Sequence, residues 1–281
     1  MTPAIIFQYL LPKQAVTAFA GKLANLKAGK LTTSVIAWFI KRYNVNMAEA
    51  ANPDISSYAT FNDFFTRALK TNARPLAKTP FICPVDGAIS QFGDIKQNQI
   101  FQAKNHKYST LTLLAGNQAL ANQFENGSFA CLYLSPKDYH RIHMPCDGTL
   151  KSMTYVPGDL FSVNPNTAAN VPTLFARNER VVCEFESAQH GSFVMVLVGA
   201  TIVGSMATVW HDTPTKVINP PRNRHIRTWS YADKNITLKQ GEEMGRFLLG
   251  STVVMLFEKD VLVFNADWRP VRAIQLGEMM G

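Results

Sequence analysis

Acidic side chains are missing from the first 48 positions of this 281-residue chain: Lys13, Lys22, Lys27, Lys30, Lys41 and Arg42 all precede the first acid, Glu49. Most of the net charge of +8 is therefore concentrated in the N-terminal sixth. Such a segment is attracted to an acidic surface, whether lipid head groups or nucleic acid. Also missing is any apolar run of the roughly 20 residues needed to span a bilayer. The longest runs, such as Val35–Ile40 and Phe193–Gly199, stop far short, so a membrane would be met from its surface. The four cysteines (Cys83, Cys131, Cys146, Cys183) show no CxxC or metal-finger spacing, and no secretory signal is apparent. Reduced thiols in a cytosolic compartment are the expectation. Low-complexity tracts are absent too, and 47% hydrophobic against 17% charged residues excludes a disordered chain.

What is present divides into two textures, and the fold expected is α+β. Residues 1–70 read as a helical region. Pro12 suits a first-turn position, and Val16, Phe19, Ala20, Leu23 and Leu26 follow on one face. Thr32 and Thr33 are capping candidates for a second amphipathic stretch from Val35 to Tyr43, and a third begins near Thr60. Residues 71–281 read as a β-rich, sandwich- or barrel-like catalytic domain of short β-branched and aromatic runs separated by Gly, Pro, Asn and Asp. Examples are Ser128–Leu134, Phe193–Gly199, Val253–Phe257 and Val261–Phe264, the last two split by a hairpin-like Glu258-Lys259-Asp260. An internal echo, Pro84-Val85-Asp86-Gly87 against Pro145-Cys146-Asp147-Gly148, predicts two tight turns that each feed a strand.

Reactive side chains concentrate in three places: Asp86, the segment Tyr139–Pro145, and Gly250-Ser251-Thr252. A glycine before a serine permits backbone torsions that bring the hydroxyl onto the preceding carbonyl. The resulting N-to-O acyl shift replaces an amide by an ester. β-Elimination of that ester cuts the chain, and the dehydroalanine left behind hydrolyses to a pyruvoyl group with loss of ammonia. Alone, Gly-Ser-Thr between strands is more often a turn. His140 and His143 add bases of suitable pKa, and a carboxylate behind an imidazole fixes its tautomer and balances its charge. Asp86 and Asp147 compete for that place, and spacing does not choose between them. HxxH lacks the Glu of HExxH, so no metal is expected.

Taken together, Asp86 in the PVDG turn, His140 and His143 in the Ser135–Pro145 segment, and Gly250-Ser251-Thr252 after Gly241–Phe247 resemble phosphatidylserine decarboxylase of the bacterial membrane-associated type. Phe61–Arg67 with Arg74-Pro75, and Pro157–Pro165, carry the same resemblance, which runs the length of the chain in order. It implies cleavage between Gly250 and Ser251 into chains 1–250 and 251–281, with Asp86, His143 and Ser251 as the self-cleavage triad. The pyruvoyl group derived from Ser251 would form a Schiff base with the amine of phosphatidylserine and take up the electrons released with CO2. His140 would return the proton to the α-carbon. Residues three apart on a strand face opposite sides, so the segment must turn or bulge if both histidines serve one pocket. The resemblance further implies a homodimer, peripheral on the cytoplasmic face of an anionic membrane through the N-terminal helices, with no nucleic acid bound. Phe161–Pro165 would be a flexible loop at the pocket mouth. Two other readings remain at this stage. A serine hydrolase lacks a GxSxG elbow around Ser251. A non-enzymatic β module that binds nucleic acid would want basic residues and aromatics interleaved on its sheet, whereas the basic residues here sit on helices.

Overall fold

The computed structural model describes residues 3–104, 106–201, 206–211, 225–248 and 252–281. Three helices come first: α1 (Pro3–Leu10), α2 (Lys13–Ala24) and α3 (Lys30–Tyr43). The short α4 (Phe61–Phe65) follows, closed by a capping box in which Thr60 and Asp63 satisfy each other's backbone N–H. The strands are β1 (Gly87–Asp94), β2 (Gln99–Ala103), β3 (His106–Ser109), β4 (Ser128–Tyr133), β5 (Arg141–His143), β6 (Gly148–Val156) and β7 (Arg180–Ser187). After them come β8 (Gly191–Val198), β9 (Met206–Thr208), β10 (Arg227–Ser230), β11 (Thr237–Leu238), β12 (Glu243–Phe247), β13 (Thr252–Phe257) and β14 (Ala273–Ile274).

A nine-stranded antiparallel sheet runs β10-β6-β7-β8-β13-β4-β1-β14, with β11 also on β6; a second sheet runs β5-β12-β9. The central strands are apolar on both faces because both are covered. Along β13, Val253, Met255 and Phe257 enter the core shared with Ile142, Met244 and Phe247 of the small sheet. The alternate residues Val254 and Leu256 enter the core shared with Phe64, Phe65 and Ile36 of the helices. This period-2 division makes the large sheet the middle layer of the molecule.

The helical segment is thus part of the core at some positions and exposed at others. Ile5 and Ile36 are fully buried, while Phe7, Leu10, Phe19, Leu31 and Trp38 stay exposed. Three local expectations need correction. α3 begins at Lys30 with Gly29 at its N-cap, so Thr32 and Thr33 lie inside it; Thr32 Oγ1 accepts a bond from the Ala28 amide instead. Val261–Phe264 forms no strand, since β13 ends at Phe257 and Val263 is left 85% exposed, without a partner strand to cover it. Both PxDG turns do feed strands, β1 and β6. Phe161–Pro165 is a packed segment: Phe161 is buried against Tyr9 at 4.8 Å, and Asn164 caps the helical turn Pro165–Ala168.

Candidate active site

Leu249, Gly250 and Ser251 lie outside the described residues, so the expected cut site is located by its neighbours. On its N-terminal side, the Phe247 amide donates to the His140 carbonyl at 3.0 Å, and β12 continues antiparallel to β5. On its C-terminal side, Thr252 is paired with Tyr133 at the end of β4. From Tyr133 the chain needs only Leu134–Tyr139 to reach His140. Two strand pairings therefore tie both flanks of the 249–251 segment to one stretch, Tyr133–His143. Within it, Tyr133, Asp138 and Tyr139 line a cleft of about 500 Å³, together with Asp86, Arg67 and Arg74.

His143 closes β5, half-buried at the edge of the small sheet. Its Nδ1 lies 2.8 Å from the Gly241 carbonyl, and because a carbonyl only accepts, Nδ1 carries the proton. Nε2 is then an acceptor, and the Tyr139 hydroxyl donates to it at 3.1 Å. Gly241 can aim its carbonyl this way because it holds a φ of 82°, where a side chain would be strained and a Cβ would strike Leu76. Burial lowers the His143 pKa, opposed by the Gly241 carbonyl and, through space, by Glu243 and Asp86. The ring is thus neutral at neutral pH with a basic Nε2. Burial also raises the Tyr139 pKa, which keeps its phenol a donor.

His140 is fully buried against Phe65, ring centroids 4.1 Å apart. Its Nδ1 donates to the Asp138 carbonyl at 2.7 Å, leaving Nε2 buried with no partner among the described residues. Burial depresses its pKa to about 3. The Thr252 hydroxyl, next to position 251 in the chain, is likewise buried without a partner among the described residues. Two buried polar groups, the acceptor of His140 and the hydroxyl beside position 251 in the chain, are thus unsatisfied among the described residues.

Asp86 enters the cleft from its PxDG turn, yet among the described residues it makes no hydrogen bond to His143. Its carboxylate is held in the fork of Arg74, with Nε at 3.0 Å and Nη2 at 2.6 Å, and accepts from the Leu276 amide at 2.9 Å. Arg74 Nη2 also reaches Glu49 at 2.7 Å. Asp147, the competitor, sits on the outside: it bridges Lys239 at 2.9 Å and accepts from the Gln240 amide at 2.8 Å. It orders the turn whose next residue, Gly241, holds His143.

Sequence reading assigned no role to three residues found here. Asp138 takes the Ser135 amide and hydroxyl, each at 2.7 Å, while burial and the charge of Asp86 raise its pKa. The Ser-x-x-Asp spacing was the available signal for that turn. Tyr139 was visible only as a neighbour of His140. Arg74 had no signal pointing to Asp86. A brace holds this arrangement: Arg141 donates to the Thr66 carbonyl at 2.8 Å and pairs with Glu243 at 2.8 Å, locking the end of α4 to β5 and β12.

Comparison with known proteins finds relatives along the length of the chain. The family profile described as Phosphatidylserine decarboxylase matches residues 61–281, and one described as PSD matches residues 3–44. A Dechloromonas aromatica protein named phosphatidylserine decarboxylase proenzyme is 69% identical over 278 residues, covering 99% of this chain and 97% of the relative. A protein of the same name from Methylobacillus flagellatus is 68% identical, covering 99% and 98%. One from Albidiferax ferrireducens is 67% identical, covering 99% and 96%. The chain belongs to the phosphatidylserine decarboxylase family.

Proposed function

We propose that the chain is made as a proenzyme that breaks itself between Gly250 and Ser251, then decarboxylates phosphatidylserine to phosphatidylethanolamine with the pyruvoyl group made from Ser251. The observation that carries this reading is the double pairing of Phe247 with His140 and of Thr252 with Tyr133, which ties both flanks of the serine to the Tyr133–His143 stretch, part of which lines the cleft.

In self-cleavage, His143 is the base. Its protonated Nδ1 is held by Gly241, so only Nε2 can receive the Ser251 proton, either directly after Tyr139 swings aside or through the Tyr139 hydroxyl. Asp86 acts from a distance, its charge favouring the imidazolium as it forms while Arg74 fixes its place. The pyruvoyl carbonyl, covalently part of the small chain, supplies the electron sink that decarboxylation requires. His140 is poised as a neutral acceptor. A substrate amine arrives as an ammonium and must lose a proton before it can attack a ketone. The negative charge of the arriving substrate offsets the burial that keeps the ring neutral in the empty site, so that Nε2 of His140 can relay that proton and return it to the α-carbon. The apolar wall made by Phe65 suits loss of neutral CO2.

No helix among the described residues is long and apolar enough to cross a membrane. Exposed Phe7, Leu10, Phe19, Leu31 and Trp38, interspersed with Lys13, Lys22, Lys27 and Lys30, support a peripheral seat on the cytoplasmic face of an anionic membrane. Each basic residue near such a surface contributes about 1 kcal/mol. The test is release of labelled CO2 from carboxyl-labelled phosphatidylserine in vesicles. The purified protein should release it, and prior treatment with borohydride plus an amine should abolish release. Unimpaired release after that treatment would refute a carbonyl cofactor.

A further inference from the structure

The cleft contains a cation that the chemistry so far has not used. Arg67 follows α4, is only 5% exposed, and makes no ion pair and no side-chain hydrogen bond with any described residue. Its Nε is buried without a partner, and the guanidinium carbon lies 5.4 Å from the Phe64 ring centroid. The comparably buried Arg180 shows what a structural arginine looks like: its nitrogens bond the carbonyls of Thr112, Leu113, Ala176 and Asn178. Arg74 is saturated by Asp86 and Glu49. A guanidinium whose buried Nε is left unmet is costly, and an arriving anion relieves the cost.

The headgroup brings two anions, and the reaction distinguishes them. The carboxylate must become neutral CO2, so pairing it with a guanidinium would stabilise the ground state more than the transition state. The phosphodiester keeps its charge throughout, and a guanidinium fork matches two of its oxygens. It is joined to the α-carbon through one methylene and one ester oxygen, so fixing it fixes the reacting carbon. Asp86, Glu49 and Asp138 on the same cleft leave room for an ammonium beside it, which suits a headgroup of mixed charge.

Resting on the decarboxylase reading, we propose that Arg67 binds the phosphodiester of the substrate and so positions its serine for the group at residue 251. The test uses the cleaved enzyme and reductive trapping with cyanoborohydride, read by mass, of two amines that both lack a carboxylate. These are phosphatidylethanolamine and a long-chain O-alkyl ethanolamine without phosphate. In Arg67→Gln the half-saturating concentration should rise on the order of 100-fold for the phosphodiester amine and stay unchanged for the other, as expected for a lost charge-assisted bond. Arg67→Lys should fall between, because an ammonium makes a point contact. Unchanged trapping of phosphatidylethanolamine with lost phosphatidylserine turnover would assign Arg67 to the carboxylate and overturn the proposal. Equal weakening of both amines would make it a shaping residue and overturn it as well. Should Arg67→Gln stay uncut, Arg67→Lys carries the test. If both stay uncut, Arg67 serves processing and the proposal falls. Failure of the wild-type protein to cut itself or to trap either amine would instead refute the underlying reading.

Discussion

Pro84-Val85-Asp86-Gly87 and Pro145-Cys146-Asp147-Gly148 share a sequence pattern and a following strand, yet one aspartate faces the cleft and the other faces water. The Asp86 side chain is 9% exposed and the Asp147 side chain 49%. The difference lies in what surrounds each turn. β1 lies between β4 and β14 in the large sheet, and Glu49 and Arg74, from the stretch between α3 and β1, lie over its start. β6 starts at the rim, opposite the two-residue β11, where only Lys239 and the Gln240 amide are within reach. An identical local code thus produces a buried anion in one setting and a surface brace in the other.

The sharpest way to break the equivalence is to delete each carboxylate. Asp86→Ala leaves Arg74 buried with half its partners and should cost about 3–5 kcal/mol, together with loss of self-cleavage. Asp147→Ala should leave the denaturation midpoint where it is and slow cleavage only through the Gly241 turn. Urea unfolding monitored beside gel analysis of cleavage measures both. The glycines of the two turns should differ next. A Cβ at Gly87 would sit 2.3 Å from the Tyr133 carbonyl oxygen, a backbone atom of the central sheet. At Gly148 it would meet the Phe193 ring at 2.8 Å, and a ring can tilt. Gly148→Ala should therefore cost about 1–3 kcal/mol by overpacking, and Gly87→Ala more, with cleavage impaired because Tyr133 pairs with Thr252.

A smaller effect separates the regions by pH. In the folded protein His140 takes a proton only near pH 3, against 6.5 in the unfolded chain. Between those values the unfolded state holds the extra proton, so stability falls as pH is lowered from about 6.5. Asp147, its pKa lowered by Lys239 and the Gln240 amide, loses its contribution only below its ordinary 3.8. Denaturation midpoints measured from pH 7 to pH 5 should fall for the wild type and for Asp147→Ala alike, and more gently for His140→Asn. In the same series His140→Asn should still cut itself yet turn over no substrate, whereas His143→Asn should stay whole.

Much of this was legible in the sequence because it rests on short-range rules. The β-rich region, both PxDG turns and the helix that begins near Thr60 follow from spacing and turn chemistry. Asp86, His140 and His143 stand out as ionisable residues in apolar surroundings. The remainder depends on contacts that leave no local trace. The bond from His143 goes to a backbone carbonyl 98 residues away, and any residue type offers a carbonyl. The hold of Arg74 on Asp86 depends on how the segment between α4 and β1 folds back onto the turn that feeds β1. Val261–Phe264 reads as a strand by composition, but no neighbouring edge takes it up. Asp86 and Asp147 could not be ranked from spacing because the two turns are locally the same; burial distinguishes them.

The central claim is that Ser251 is consumed to make the reactive carbonyl. Intact mass under denaturing conditions tests it directly. The purified protein should give two species corresponding to residues 1–250 and 251–281, the smaller blocked at its N-terminus by a pyruvoyl group, and Ser251→Ala should give one uncut chain. A full-length wild-type chain with full activity, or the same two fragments from Ser251→Ala, would contradict it.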